Sequence, residues 1–239
     1  ALDGPAGVGA DLNILYVPDP FNPVPEVVCS YNTGNYYATD TGNIRVKGDI
    51  KGNAVITATA SAGAGGAIIF WEVVDGVCST WYWTSVPYAA DLVSYACAAP
   101  AGASLADGIF YIGYGGDYNL RYAANVTKDG ASEWAVSYVT GSSWMENYNC
   151  ISTAEVNGKK YLAMTASCHF DYDYTDIIVL DVTDVTAVAE VFKIQMNFHT
   201  VNAAGLTYSD ICIKGEDGKL AAYVIDPWMD TVEKYEFPL

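Results

Sequence analysis

The sequence predicts an all-β fold, a small β-propeller of about five blades built from antiparallel strands. Three observations carry that prediction. Apolar runs of about 5–9 residues, rich in Val, Ile, Tyr, Thr and Phe, follow one another along the chain, and no long segment keeps a helical period. The same unit, an apolar run, a polar aromatic loop and a second apolar run, recurs five times at intervals of about 40–60 residues, the spacing of a repeat architecture. Gly-containing turn pairs punctuate these runs. The rival architectures are a β-sandwich and an open repeat array.

Taken in order, Ala1 to Asp11 is rich in Gly and Pro and reads as an irregular lead-in. The first unit is NILYVPD, PFNPVP and EVVCSY; the second is AVITATA, SAGAGG and AIIFWEVV. The third is IFYIGY, GGDYN and LRYAANV. The fourth, around Asn157 to Asp184, is the clearest: strand a NCISTAEV, b KYLAMTAS, c DIIVLDV and d AEVFKIQ. The fifth is LAAYVI, DPWMDT and VEKYEF. The first unit lacks a clear a strand and the last ends after c, as in a ring closed by its own ends. Residues 1–239 are therefore expected to form one propeller domain, a processed product or a piece of a longer surface protein.

Asn157-Gly158, Asp107-Gly108, Asp217-Gly218 and Lys51-Gly52 stand between a and b strands. Such pairs supply the positive φ of tight hairpins, so short a–b connections are expected. Asp75-Gly76, Asp129-Gly130 and Val182-Thr183-Asp184 are expected to close c onto d equally briefly. The b strands should be nearly apolar, because both faces of an inner strand are covered.

Bulk properties narrow the function. The chain carries 28 acidic against 11 basic residues, a formal charge of −17. That disfavours nucleic acid and anionic membrane faces, which call for a cationic surface. No run of about 18 apolar residues is present, so no transmembrane segment is expected. The cysteines at 29, 78, 97, 150, 168 and 212 include no CxxC pair, which argues against zinc. Most are expected to be free and buried, since they sit in apolar strand-like runs. Cys97, Cys150 and Cys212 precede successive b strands at similar distances, so they occupy one repeated position.

The run GNIRVKGDIKGNAVITATASAGAGGAIIFWEVVDG resembles blades of propeller domains in surface lipoproteins of gut Bacteroidetes. Those proteins are often encoded beside starch-utilisation-like outer-membrane uptake systems. The resemblance implies a secreted or surface-exposed, non-catalytic domain with an outer-membrane protein as partner. It brings no site residues with it.

Propeller geometry would put the tight turns on one face and the longer b–c and d–a loops on the other. The b–c loops carry Phe21, Tyr118, Asp171, Tyr172, Asp173, Tyr174 and Trp228; the d–a loops add Tyr88, Trp144, Tyr148, Phe198 and His199. Aromatic rings beside carboxylates hold sugars or peptides by stacking and edge hydrogen bonds. The expected binding set is Tyr118, Asp171, Tyr172, Asp173, Tyr174, Trp228 and Trp144. The competing reading has these rings packing the loops together.

HFDYDYTD at 169–176 alternates carboxylates as a calcium loop does, but it lacks the Gly and closing Glu of an EF-hand. No metal or cofactor is therefore assigned. No G-x-S-x-G, HExxH or P-loop occurs, and His169 and His199 stand near no nucleophile motif. Asp19, Asp117, Asp173 and Asp226 are loop-proximal carboxylates of the kind a five-bladed glycoside hydrolase would pair. Among 28 acids such pairs arise easily, so the reading favours binding over catalysis. Asn125-Val126-Thr127 fits an N-glycosylation acceptor.

Overall fold

The computed structural model describes residues 2–3, 11–19, 21–32, 41–62, 65–79, 82–86, 97–100, 104–112, 119–124, 126, 133–139, 147–167, 175–196, 210–226 and 231–239. Among them the regular structure is strand throughout, apart from one 3-10 turn. The strands form five antiparallel sheets, none closed on itself.

The first sheet holds β1 (Leu2–Asp3), β2 (Asp11–Tyr16) and β3 (Glu26–Asn32) in that order. The start of the chain is thus not wholly irregular, since Leu2 and Asp3 pair with Leu12 and Asp11. The second sheet runs β4 (Thr41–Gly48), β5 (Ala54–Ala62), β6 (Gly65–Val74) and β7 (Val77–Cys78), with β8 (Tyr82–Val86) resuming alongside β6. The third runs β9 (Cys97–Pro100), β10 (Ile109–Ile112), β11 (Asn119–Ala124) and β12 (Glu133–Val139). The fourth is β13 (Asn147–Val156), β14 (Lys159–Ser167), β15 (Thr175–Asp181) and β16 (Ala189–Met196), close to the a, b, c and d strands expected from the sequence. The fifth is β17 (Ile211–Glu216), β18 (Lys219–Asp226) and β19 (Thr231–Phe237), ending after the third strand as expected.

Three turns follow the dipeptide chemistry. Asn157 and Gly158, Asp217 and Gly218, and Asp75 and Gly76 all adopt positive φ, between 49° and 76°. Each pair is the whole connection between paired strand ends, the pattern of a type I′ hairpin. Three other expectations are corrected. Asp107-Gly108 is not a hairpin tip: Ser104 caps a 3-10 turn at Leu105–Asp107, its Oγ accepting from the Ala106 N–H at 3.3 Å. Lys51-Gly52 belongs to a wider reversal over 49–53, held by the Gly52 N–H on the Asp49 carbonyl and the Lys51 N–H on Asp49 Oδ1, both at 2.9 Å. The β15–β16 connection is long, and two side chains organise it. Asp181 Oδ1 accepts from the Thr183 N–H, and Asp184 Oδ1 accepts from the N–H and hydroxyl of Thr186.

The inner strands β5, β14 and much of β18 are nearly apolar and covered on both faces, as expected, whereas β2 of the first sheet leaves Leu15 exposed. Ala54–Thr57 and Ala58 of β5, Tyr161–Thr165 of β14 and Leu220–Ala222 of β18 are all buried.

The chain divides into two compact units, Ala1–Ile109 with Gly113–Asp117 and Ala123–Glu133, and Phe110–Ile112 with Tyr118–Tyr122 and Trp134–Leu239. In the first, Ile14 and Cys29 share a core with Ala54, Ile56, Ala58, Ile69, Trp71 and Val73, and β9 lies beside β4. In the second, the fourth and fifth sheets bury a common layer that includes Ala163, Ile177, Val179, Ile213, Ala222 and Phe237, and β17 lies beside β13.

The expectation of mostly free, buried cysteines fails at three positions. Cys29 of β3 and Cys78 of β7 form a disulfide, with Cα atoms 5.6 Å apart. Cys212 is free but exposed. The shared position holds at the level of topology, since Cys97, Cys150 and Cys212 each lie in the first strand of a sheet.

Candidate functional site

The expected binding residues Tyr118, Trp144, Asp171, Tyr172, Asp173, Tyr174 and Trp228 lie outside the described residues. What the structure does fix is the scaffold from which several of them hang. Ser167 pairs with Thr175 across the mouth of the connection that carries residues 168–174. Asp226 pairs with Thr231 across the mouth of the one that carries Trp228. Tyr118 immediately precedes β11. These are all second-to-third strand connections, and in the fourth and fifth sheets they lie at the opposite end from the first hairpin turn. Tyr148, assigned to a loop by sequence, belongs to β13 and pairs with Ala166.

Asp176 is the acidic residue of that loop region which the structure locates. It is the second residue of β15 and only 2% exposed. A buried carboxylate needs a cation, and the ammonium of Lys193 on β16 stands 2.8 Å from Oδ2. Oδ1 has no hydrogen-bond partner. Lys193 escaped the sequence reading because it is separated from Asp176 by a whole loop. It sits opposite Ile178, one step along the same face as Asp176.

In the first unit the loop over residues 17–25 presents Phe21 at 97% exposure. Asp19 shapes its tip: Oδ1 accepts from the Phe21 N–H at 2.9 Å and the carbonyl from the Asn22 N–H at 3.2 Å. Such side chain-to-backbone bonds are the usual work of Asp in turns. Leu15, Val17, Val24 and Val27 are also exposed around the loop's base. The sequence reading put Phe21 at the end opposite the tight turns. The structure corrects this within the unit. Tyr16 and Glu26, which bound the loop, contact Lys51 in the 49–53 reversal: Nζ is 2.8 Å from Glu26 Oε2 and 4.6 Å from the Tyr16 ring centre.

The fifth sheet carries a polar network that the sequence did not announce. Alternation along β17, β18 and β19 brings Lys214, Glu216, Tyr223, Lys234 and Glu236 to one face, since Tyr223 pairs with Lys234 and Ala221 with Glu236. Glu216 receives Lys214 at 2.6 Å, Lys234 at 2.8 Å and the Tyr223 hydroxyl at 2.6 Å. Lys234 also reaches Glu236 at 2.9 Å, and Lys219 closes the other side of Glu236 at 3.1 Å. Lys214 lies 4.9 Å from the Tyr223 ring centre. The Lys214 hydrogen bond, followed by those from Lys234 and Tyr223, pulls the Glu216 carboxyl down to about 2. The Lys234 ammonium is pushed up, first by Glu216 and then by Glu236. A carboxyl so acidic stays ionised near neutral pH and has no proton to donate as a general acid.

A family model matches residues 4–219, most of the chain. The chain belongs to the DUF8500 family. That family is described as a domain of unknown function, so membership of DUF8500 carries no activity, ligand or partner with it. No curated protein matches this DUF8500 chain. Among its described residues no helix is long and apolar enough to cross a membrane.

Proposed function

We propose that this DUF8500 chain is a non-catalytic binding domain of the cell exterior or outer-membrane surface. It takes an oligosaccharide or peptide through the loop residues Tyr118, Asp171, Tyr172, Asp173, Tyr174, Trp228 and Trp144. The observation that carries the compartment is the Cys29–Cys78 disulfide, because structural disulfides form and persist in oxidising surroundings. An outer-membrane protein of a starch-utilisation-like uptake system is the partner this reading names.

On this reading the sheets are successive blades of a single propeller of about five blades. Two features support it. Every sheet is built from consecutive strands, unlike the crossed connections of Greek-key sandwiches. First strands of consecutive sheets are neighbours, β4 with β9 and β13 with β17. On the same reading β2 and β3 serve as third and fourth blade strands, which the contact of Lys51 with Tyr16 and Glu26 supports. The hydrolase alternative gains nothing from Glu216 or Asp176, whose carboxylates are committed to lysines.

The test is a glycan and peptide array with the intact chain, repeated with Trp228→Ala and Tyr172→Ala after confirming unchanged melting. Loss of binding in both variants supports the site. Normal binding in both moves it elsewhere, and unfolding of both makes these rings core. A second reading, a structural module of an outer-membrane assembly, is favoured by the exposed Phe21 loop. Under it, Phe21→Ala abolishes co-purification with the outer-membrane partner and leaves array binding intact.

A further inference from the structure

One end of the first unit gathers apolar side chains that the fold leaves in water. The loop over residues 17–25, the 49–53 reversal and the Asp75-Gly76 turn meet at this end, with the reversal between the other two. On one side Lys51 Nζ stands 2.8 Å from Glu26 Oε2 at the base of the loop. On the other the Gly76 N–H donates to the Gly52 carbonyl at 2.8 Å, and the Asp75 N–H to Asn53 Oδ1 at 3.1 Å. Phe21 and Val24 belong to the loop, Leu15 and Val27 pair at its base, and Val74 and Val77 pair beside the turn. All six are at least 46% exposed. Soluble chains rarely leave more than a few hundred Å² of apolar surface in one place, and larger patches mark interaction sites.

Two further features say what fits there. The tip is ordered before anything binds: the Phe21 N–H donates to Asp19 Oδ1, and Pro18, Pro20, Pro23 and Pro25 restrict the backbone on either side. Such ordering lowers the entropy lost on docking. The surroundings are acidic. Asp19, Glu26, Asp49 and Asp75 are exposed, and Lys51 is the one cation within these three connections. An apolar centre inside a polar rim is the usual anatomy of an interface. A second copy of this chain would bring the same acids to the contact and a net charge of −17, so like charges oppose self-association. Anionic lipid headgroups are opposed in the same way.

We propose that this end of the first unit is a docking surface for another protein, one that offers an apolar socket for Phe21 rimmed by lysine and arginine. This partner chemistry rests on the reading of the Phe21 loop as an assembly contact. Phe21 fills the socket, Leu15 and the valines exclude water around it, and basic side chains answer Asp19, Asp49 and Asp75.

A phage-displayed random peptide library panned on the intact chain tests this, with affinities then measured for the enriched peptides. Enriched sequences are expected to join an aromatic or aliphatic anchor to lysine or arginine. Phe21→Ala removes a side chain that is almost wholly in water, so melting should stay unchanged while peptide affinity falls about tenfold or more. Asp49→Asn with Asp75→Asn keeps an acceptor for the Lys51 N–H and should weaken the peptides about threefold, with a flatter salt dependence. No enrichment, enrichment of neutral or acidic peptides, or affinities that survive either variant would each overturn the proposal. So would a dimer in sedimentation, or adsorption to phosphatidylcholine vesicles, that Phe21→Ala abolishes. The assembly reading fails separately, if co-purification with an outer-membrane protein survives Phe21→Ala while the peptides are lost.

Discussion

Lys193 neutralises Asp176 across two strands, its ammonium 2.8 Å from a carboxylate that is 2% exposed, while Lys193 itself remains 44% exposed. The pair is lopsided: the acid has lost its water and the base has not. Removing one partner therefore differs sharply from removing the other. Lys193→Met strands a buried charge and is expected to cost about 3 kcal/mol, the low end for a broken buried pair because the lysine stays partly solvated. Asp176→Leu combined with Lys193→Met should recover most of that loss, since an apolar replacement leaves no charge to satisfy. Urea unfolding of the two variants decides it. Equal stabilities for the single and double variants would show that Asp176 finds other compensation.

The type I′ turns give a second expectation, in which space and backbone can be separated. Gly76 and Gly158 share a φ of 76°. A Cβ at Gly158 meets nothing within 4 Å, whereas one at Gly76 would stand 2.9 Å from the Lys51 carbonyl oxygen. Gly158→Ala should thus cost only the left-handed backbone penalty, about 1–2 kcal/mol. Gly76→Ala should cost more, because it also forces apart the Gly76 N–H and Gly52 carbonyl, now bonded at 2.8 Å. Thermal melts of the two variants rank them, and an equal loss would mean the 49–53 reversal yields without resistance.

These glycines also show how far the sequence could be read. Asn157-Gly158 and Asp217-Gly218 fall between alternating runs, so the local chemistry alone placed two hairpins and the strands they join. Asp107-Gly108 has the same letters, yet Ser104 upstream captures the chain in a 3-10 turn first, a competition that a dipeptide cannot reveal. The Cys29–Cys78 bond joins strands of different sheets, and apolar surroundings look alike for a free and a bonded cysteine. The network around Glu216 depends on strand register, which sets Tyr223 beside Lys234 and so gathers charges from three strands. The aromatic loop residues, legible as composition, gain from the structure only their attachment points at Ser167–Thr175 and Asp226–Thr231.

The cysteine arrangement predicts a labelling order. Cys212 is free and exposed, so a thiol reagent should modify it in the native chain within minutes at mildly alkaline pH. Cys29 and Cys78 should be labelled only after reduction. Peptide mapping by mass spectrometry reads both. Native labelling of Cys29 or Cys78 without reductant would refute the bond, and with it the support it lends to an oxidising compartment.

The last expectation concerns acid. The Glu216 carboxyl falls from its usual 4.5 to about 2 in the folded chain, through Lys214 first, then Lys234 and Tyr223. A lowered folded-state value means that the stabilisation is fully present above the unfolded carboxyl's range. It is lost as pH falls from about 4.5 toward about 2, because protonation removes the charge that both lysines hold. Asp181 shifts the same way, because hydrogen bonds from Thr183 and Lys159 outweigh its partial desolvation, and Glu236 does so through Lys234 and Lys219. The acid limb of stability is therefore shared among carboxylates, and only a difference measurement isolates Glu216. Glu216→Gln should be less stable than the parent at neutral pH, and the gap should close across that acidic window. The network lies at the surface, so raising salt to about 1 M, where the Debye length is about 3 Å, should narrow the gap at neutral pH as well. Parallel pH profiles for the two chains, offset by a constant amount, would show that Glu216 acts through packing or a neutral hydrogen bond rather than through its charge.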